Sequence, residues 1–402
     1  MLAGDDLATS LRGYLGDLCR FPDRYPGRPG NRAATDLFAR VAASQGLEVE
    51  VSEMDCLDFE RGTTELVVGV EAFLAAAGSV SNLASVRARL ASASTVEELQ
   101  AGGLEGTVLL LRGELCREPL SPKSFTYFEM PEHRRIVAAL EAARPAAIIA
   151  ATGRCPDLAG SLYPFPLIND GEFDIPNAFL TDEEGERLAA HAGAYTDLTL
   201  RSRRIAAQAQ HVVARARGKG PGRVVVFGHV DSWDGAPGAL DNATGTAALL
   251  GLAHLLAGHE GRLTVELVPL NGEDYYGATG EKRFERDNEG RWDDIVLGMN
   301  VDAAGWRGHG TEVSLFDLDA EAERVVRAAV AARPGFAIGE PWYQSDHGLF
   351  LLHGRPALAV ISEGYAELAA TVTHTSADRL ELADPAIVAE ISAFFADVIG
   401  RL

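Results

Sequence analysis

Basic residues are scarce in this chain. Its 402 residues carry 36 Lys and Arg against 58 Asp and Glu, a formal charge of −22. Nucleic acid and anionic membrane surfaces both call for basic patches, so neither is expected as a partner. A run of about twenty apolar residues, the length a membrane helix needs, does not occur. The start is acidic at Gly4-Asp5-Asp6, where a secretory signal would be basic, and the expected compartment is the cytoplasm. Cysteine is rare as well. Cys19, Cys56, Cys116 and Cys155 are scattered without a CxxC pair, which reads as free buried thiols rather than a disulfide framework. A G-x-S-x-G elbow is missing too, and the contiguous Ser345-Asp346-His347 cannot assemble a serine-hydrolase triad.

What the chain does have is an ordered set of metal-type ligands. His229-Val230-Asp231 follows the apolar run Val224 to Phe227, and Asp241 comes next in Gly238-Ala239-Leu240-Asp241-Asn242. Glu273-Asp274 close the run Leu263 to Leu270, Asp302 closes Ile295 to Val301, and His374 comes last. Short continuous apolar runs mark buried parallel strands. Three strands would then deliver ligands from their carboxyl ends, the edge where open α/β sheets bind ligands. Two His with several carboxylates suit a pair of divalent ions, zinc first among them. Taken singly, an Asp at a strand end also serves as a turn or cap residue. Asp241 invites that reading, because Ala243 to Leu256 looks helical.

The wording of these motifs adds to that reading. His-Val-Asp-Ser, Gly-Ala-Leu-Asp-Asn-Ala-Thr-Gly, Asn-Gly-Glu-Asp, Asn-Val-Asp and His-Thr-Ser-Ala-Asp resemble the co-catalytic dizinc aminopeptidases and glutamate carboxypeptidases, metallopeptidase family 28. More faintly, Arg24-Tyr25-Pro26-Gly27-Arg28-Pro29-Gly30-Asn31 resembles the opening of that family. The resemblance implies two zinc ions per chain, with His229 and His374 each on one ion and Asp241 bridging both. It implies Asp302 as a further ligand of one ion and Asp274 of the other. The family usually has Glu at the position of Asp274, so that site would be held by a shorter arm. Glu273 would be the general base toward a metal-activated water, and Asp231 would orient the His229 imidazole. Family members often place Tyr before the last His to steady the oxyanion. Here Thr373 stands there, and Tyr275, Tyr276 and Tyr343 are the candidate substitutes. The Ser345-Asp346-His347 segment resembles a motif lining the substrate pocket.

Length and periodicity indicate two domains. Asp5 to Leu18 and Asn31 to Ser44 read as helices, and Leu47 to Val51 as a strand. From Cys56 to Ile205 the ligand pattern is absent. There Thr107 to Leu111, Ala146 to Ala150 and Ile175 to Leu180 read as strands, and His133 to Arg144 and the stretch after Asp182 as helices. Glu71 to Glu98, rich in Ala and Ser, reads as helical. The order resembles the protease-associated insert of some family members, with an unrelated α/β insertion as the alternative. The expected organisation is a catalytic domain in two parts, 1–55 and 206–402, interrupted by a smaller α/β or β-rich lobe at 56–205. The catalytic domain alternates strand and helix up to Pro385 to Ile399. That predicts a mixed, mostly parallel sheet with helices on both faces, of the zinc-peptidase, phosphorylase-hydrolase-like kind. The lobe would restrict access to short peptides and take part in a homodimer.

The leading function is a zinc-dependent exopeptidase, an aminopeptidase, acting on short peptides. A carboxypeptidase, dipeptidase or amidohydrolase on small acylated substrates is the alternative, with Arg307 and Arg355 as candidate carboxylate anchors. Glutaminyl cyclisation and a non-catalytic, receptor-like role are further alternatives. Both fit less well with a full ligand set. His254, His259, His309 and His353 lie outside the motifs and read as structural, and Gly277 and Gly280 as turn residues.

Overall fold

The computed structural model of the chain describes residues 4–21, 23–78, 81–118, 120–121, 130–152, 173–274 and 277–402. The chain forms two compact units, one built chiefly from Met1–Asp55 and Gln208–Leu402, the other from Cys56–Phe125 and Glu129–Ala207. Two long strands, Glu48–Glu60 and Arg203–Ala216, contain the boundaries.

The first unit is organised on an eight-stranded sheet. Its order is Glu48–Glu60, Arg203–Ala216, Thr264–Leu270, Arg223–His229, Ile295–Val301, Ala357–Ser362, Thr311–Phe316, Phe336–Ile338. The four central strands are mutually parallel, with His229 level with Leu270 and Phe227 level with Asn300. Their carboxyl ends therefore share one edge. Arg203–Ala216 and Thr311–Phe316 run antiparallel to their central neighbours.

Side chains along a strand alternate between the two faces. Val224 and Val226 enter one apolar cluster, while Val225 and Phe227 enter another. The larger cluster takes Leu11 and Leu15 of helix Gly4–Arg20, Phe38 of Pro29–Ser44, Leu249 of Thr244–Leu255 and Phe394 of Pro385–Arg401. The other takes Phe284 of helix Thr279–Asp287 and Phe350 of His347–Leu352. Helices thus cover both faces, and full burial of each such side chain contributes about 1.5–3 kcal/mol.

The second unit holds its own mixed sheet, with the parallel run Ala84–Ala93, Val108–Leu111, Ala147–Ala151, Asn177–Leu180 at its centre. Helices Pro131–Ala143 and Asp182–Ala189 lie between strands in sequence, the second capped by the Thr181 hydroxyl. The helical reading of Glu71 to Glu98 is overturned. That stretch forms strands Glu71–Phe73, Ala76–Ala77 and Ala84–Ala93, and among its described residues only those of Val96–Gln100 are helical. The reason is periodicity: Val86, Ala88 and Leu90 alternate with Arg87 and Arg89, a two-residue repeat that places apolar groups on one sheet face. Ala content misled, because helix propensity is a weak prior against tertiary pairing.

Buried polar groups tie the first unit together near its carboxyl edge. The Arg24 guanidinium donates to the carbonyls of Leu18 (3.2 Å), Val230 (3.1 Å), Pro237 (2.8 Å) and Gly238 (2.6 Å). It thereby clamps the loop after His229 to the loop before Asp241. Gly238 has φ +60°, and a Cβ there would sit 2.5 Å from the Asp241 carbonyl oxygen, so only glycine fits. Asn31 and Asn271 exchange amide hydrogen bonds of 2.7 and 2.9 Å. This is the structural content of the Arg24-to-Asn31 stretch.

Glu281 and Asp346 form a further buried pair. Neither is exposed, and with both ionised no donor would reach any of their four oxygens among the described residues. One proton must therefore lie between them. Burial, with the negative charges of Asp231 on one and Glu281 and Glu273 on the other, pushes both carboxyls up, Glu281 to about 7. A raised carboxyl pKa stabilises the fold fully below its ordinary value of 4.5 and loses that contribution as pH rises through about 7. The unfolding midpoint should fall across that window, and Asp346→Asn should flatten the fall. Parallel pH profiles of wild type and variant in thermal denaturation would count against the shared proton.

Candidate metal centre

The parallel edge gathers the predicted ligands. His229 ends its strand, Asp274 follows Thr264–Leu270 and Asp302 follows Ile295–Val301. Asp241 lies in the turn ahead of helix Thr244–Leu255, and His374 follows helix Tyr365–Thr371. His229 Nε2 lies 3.1 Å from Asp241 Oδ1 and 3.3 Å from Asp302 Oδ1. His374 Nε2 lies 3.3 Å from Asp241 Oδ2 and 2.9 Å from Asp274 Oδ1. The arrangement is two-fold in kind: each imidazole meets one oxygen of Asp241 and one further carboxylate. Asp241 caps no helix, since Thr244–Leu255 begins after Ala243 without a side-chain cap.

Support comes from several directions. Asp231 Oδ1 lies 3.7 Å from His229 Nδ1 and accepts the Gly272 amide at 2.8 Å, joining one ligand strand to the loop that carries Glu273. Ser345 Oγ donates to Asp302 Oδ2 at 2.7 Å, and Asn300 donates to Ser345 at 2.9 Å. The Asp378 carboxylate accepts the backbone amides of Leu240 (2.8 Å) and Asp241 (3.0 Å), fixing the turn that presents Asp241. Trp233 stacks on the His374 ring at 4.7 Å and 8°. His374 itself has φ +60°, a costly conformation for a residue with a Cβ, held by this packing. A Cβ on Gly280 would meet the Asn271 amide nitrogen at 2.5 Å, so this glycine serves close packing behind the Glu273 loop.

The electrostatics follow from crowding. Burial alone would lower both imidazoles, but the facing carboxylates outweigh it: Asp302, Asp231 and Asp241 hold His229 well above its usual range, and Asp274 and Asp241 do the same for His374. Burial opposes ionisation of Asp241, yet the two imidazoles overcome it and hold the carboxyl well below the usual range. Burial, then Asp241, pushes Asp274 up to about 6, against the pull of His374. Glu273 is pushed well above its ordinary value by burial and, despite His229, by Asp302, Asp274 and Asp241. Such a set is short of positive charge. Ligand atoms of His229, Asp241 and Asp274 lie within 4.8 Å of one another, and buried Asp274 Oδ2 has no hydrogen-bond partner among the described residues. An N/O donor set of this kind, with an orphaned carboxylate oxygen, fits divalent cations of zinc type.

Other candidates stand apart. Tyr343 is 49 % exposed and packs edge-on to Phe316. Tyr275 and Tyr276, like Cys155, lie outside the described residues. Arg307 donates to the Glu381 and Ala383 carbonyls and pairs with Asp384, and Arg355 pairs with Asp293. Ser345, Asp346 and His347 are fully buried, so they brace the site from within. The reason is that Ser345 is spent on Asp302 and His347 on the Trp342 carbonyl, 2.7 Å away. His254 bonds Tyr14, His259 the Leu263 carbonyl, His353 Glu285, and His309 stacks on Trp306. One residue was not anticipated. Tyr365 is 36 % exposed overall, yet burial and then the charges of Asp302, Asp241, Glu273 and Asp274 push its phenol well above the usual range. Its sequence signal was slight, an aromatic opening a short helix after a buried strand.

The fold has known counterparts. An aminopeptidase from Aneurinibacillus sp. strain AM-1 superposes with a TM-score of 0.76 at 20% identity, covering 98% of this chain and 92% of its own. A zinc aminopeptidase from Bacillus subtilis gives 0.76 at 19% identity over 98% and 94%. A peptidase M28 precursor from Shewanella amazonensis gives 0.72 at 19% identity over 99% and 95%. No curated protein sequence matches the chain. The family profile of peptidase family M28 matches residues 211–399, the segment that carries both imidazoles and all the carboxylates of the cluster. That segment of the chain is therefore of the peptidase family M28 kind.

Proposed function

We propose that this hydrolase is a zinc-dependent aminopeptidase that removes residues from short peptides with two ions per chain. The observation that carries the reading is the division of Asp241 between two imidazoles, each with its own second carboxylate. His229, Asp302 and Asp241 Oδ1 would hold one ion, and His374, Asp274 and Asp241 Oδ2 the other. Zinc held there supplies Lewis acidity, polarising a carbonyl and drawing the pKa of nearby water and carboxyl groups down.

The chain's own groups do the rest. Glu273 adjoins Asp274 in sequence but, among the described residues, makes no hydrogen bond or ion pair within the ligand set, which leaves its carboxylate free to act as the general base that takes a proton from the attacking water and returns it to the leaving amine. Asp231 orients the His229 ring, Asp378 fixes the Asp241 turn, and Trp233 holds the plane of His374. Tyr365 replaces the phenol missing at Thr373, and its hydroxyl donates to the developing oxyanion. Engagement of Arg307 and Arg355 with their own neighbours supports the aminopeptidase over the carboxypeptidase reading, because neither is left to anchor a substrate carboxylate. We assign residues 56–205 to an inserted lobe of the protease-associated kind, a reading supported by the parallel strands and intervening helices of that stretch.

Two substitutions test the roles. Glu273→Gln keeps shape but accepts no proton, so metal content and KM should hold while kcat falls by about two to four orders of magnitude. Near wild-type turnover with both ions bound would remove Glu273 as base. Tyr365→Phe should lower kcat by about ten- to a thousandfold with little change in KM. An unchanged kcat on unmodified dipeptides would remove the phenol from the mechanism.

A further inference from the structure

The first unit contains a second polar site that shares no residue with the carboxylate–imidazole cluster. It is a cavity of about 260 Å³ on the sheet face beside helix Thr279–Asp287. His211, on strand Arg203–Ala216, lines it and is 2 % exposed. Neither ring nitrogen of His211 has a hydrogen-bond partner among the described residues. Leaving such a group dry is unfavourable.

The surrounding charges explain what the cavity wants. Glu266 spends one oxygen on Arg215 Nε (2.9 Å) and the other on Arg223 Nη1 (2.6 Å). Glu50 is spent on Arg215 Nη1 at 2.8 Å, and Asp287 on Arg283 Nε at 2.7 Å. The carboxylates on the wall are thus consumed in fixing guanidiniums. Donors are left over. Arg215 Nη2 and Arg283 Nη2 meet no acceptor among the described residues, and buried Arg223 Nε is unpartnered. Arg291, half-exposed at the rim, pairs with Asp294 at 3.8 Å. Burial also pushes the His211 imidazole down to about 4, so at neutral pH it is uncharged and offers one N–H.

We propose that this cavity is a binding site for a small oxyanion, the carboxylate or phosphate group of a metabolite-sized ligand, held by Arg215, Arg283 and His211. Unspent donors fixed by spent acceptors select a ligand rich in acceptors, and planar guanidiniums suit either group. Water is the competing occupant, since the volume holds several molecules.

The test follows the imidazole nitrogens of His211 by NMR in the full-length, metal-loaded protein labelled on histidine. Inorganic phosphate and acetate are added separately at constant ionic strength and pH 7. His211→Gln assigns the resonance. Saturable shifts at His211 with either anion, weakened about tenfold or more in Arg283→Gln, are expected. Saturation by phosphate alone identifies a phosphoryl ligand, and by acetate alone a carboxylate; each supports the site. Shifts that grow without saturating for both anions, or an affinity unchanged in Arg283→Gln, mean that the cavity holds only water and overturn the proposal. Arg283 is partly exposed, so its replacement leaves the core intact, and anion binding at the metal cluster reads out at His229 and His374 instead.

Discussion

Everything at the carboxyl edge depends on one carboxylate shared by two imidazoles. Asp241 faces His229 with one oxygen and His374 with the other, and the remaining acids sort themselves to one side or the other. Four buried carboxyl groups around two rings are unstable company without compensating positive charge. Cations would resolve that conflict, and the donor set and the electrostatics both favour them. The fold's part is to bring strand ends from one parallel sheet to a single edge and to brace the turn that holds Asp241.

That bracing is expensive in buried polar groups, and the chain meets the cost locally. Arg24 satisfies four backbone carbonyls, Asp378 accepts two amides, and Asn31 and Asn271 satisfy each other. Each of these groups fixes a loop beside the carboxylate–imidazole cluster. Ser345 and Asn300 form a second tier behind Asp302. Precise placement of a few reactive side chains therefore draws on residues from the first helices to the last loop, which is why the opening of the chain folds with its distant second part.

The residues gathered at this edge were legible because metal chemistry restricts residue type and strands restrict position: His229, Asp274 and Asp302 each end or follow an apolar run. The alternation of Val224 to Phe227 between two clusters shows why such runs read as parallel strands covered on both faces. What sequence could not show was contact between distant segments. Trp233 over His374 and Asp378 beneath Asp241 are set by how loops meet, and no local pattern encodes that. The stretch from Glu71 to Glu98 failed for a different reason, since Ala-rich composition concealed a two-residue alternation. Ser345-Asp346-His347 was legible as a motif, but its depth was not.

The most direct test of the shared carboxylate is anomalous diffraction at the zinc absorption edge from crystals of the full chain. Two peaks are predicted, one between His229 and Asp302 and one between His374 and Asp274, with an Asp241 oxygen directed at each. A single peak, or two peaks of which Asp241 touches only one, would contradict the account.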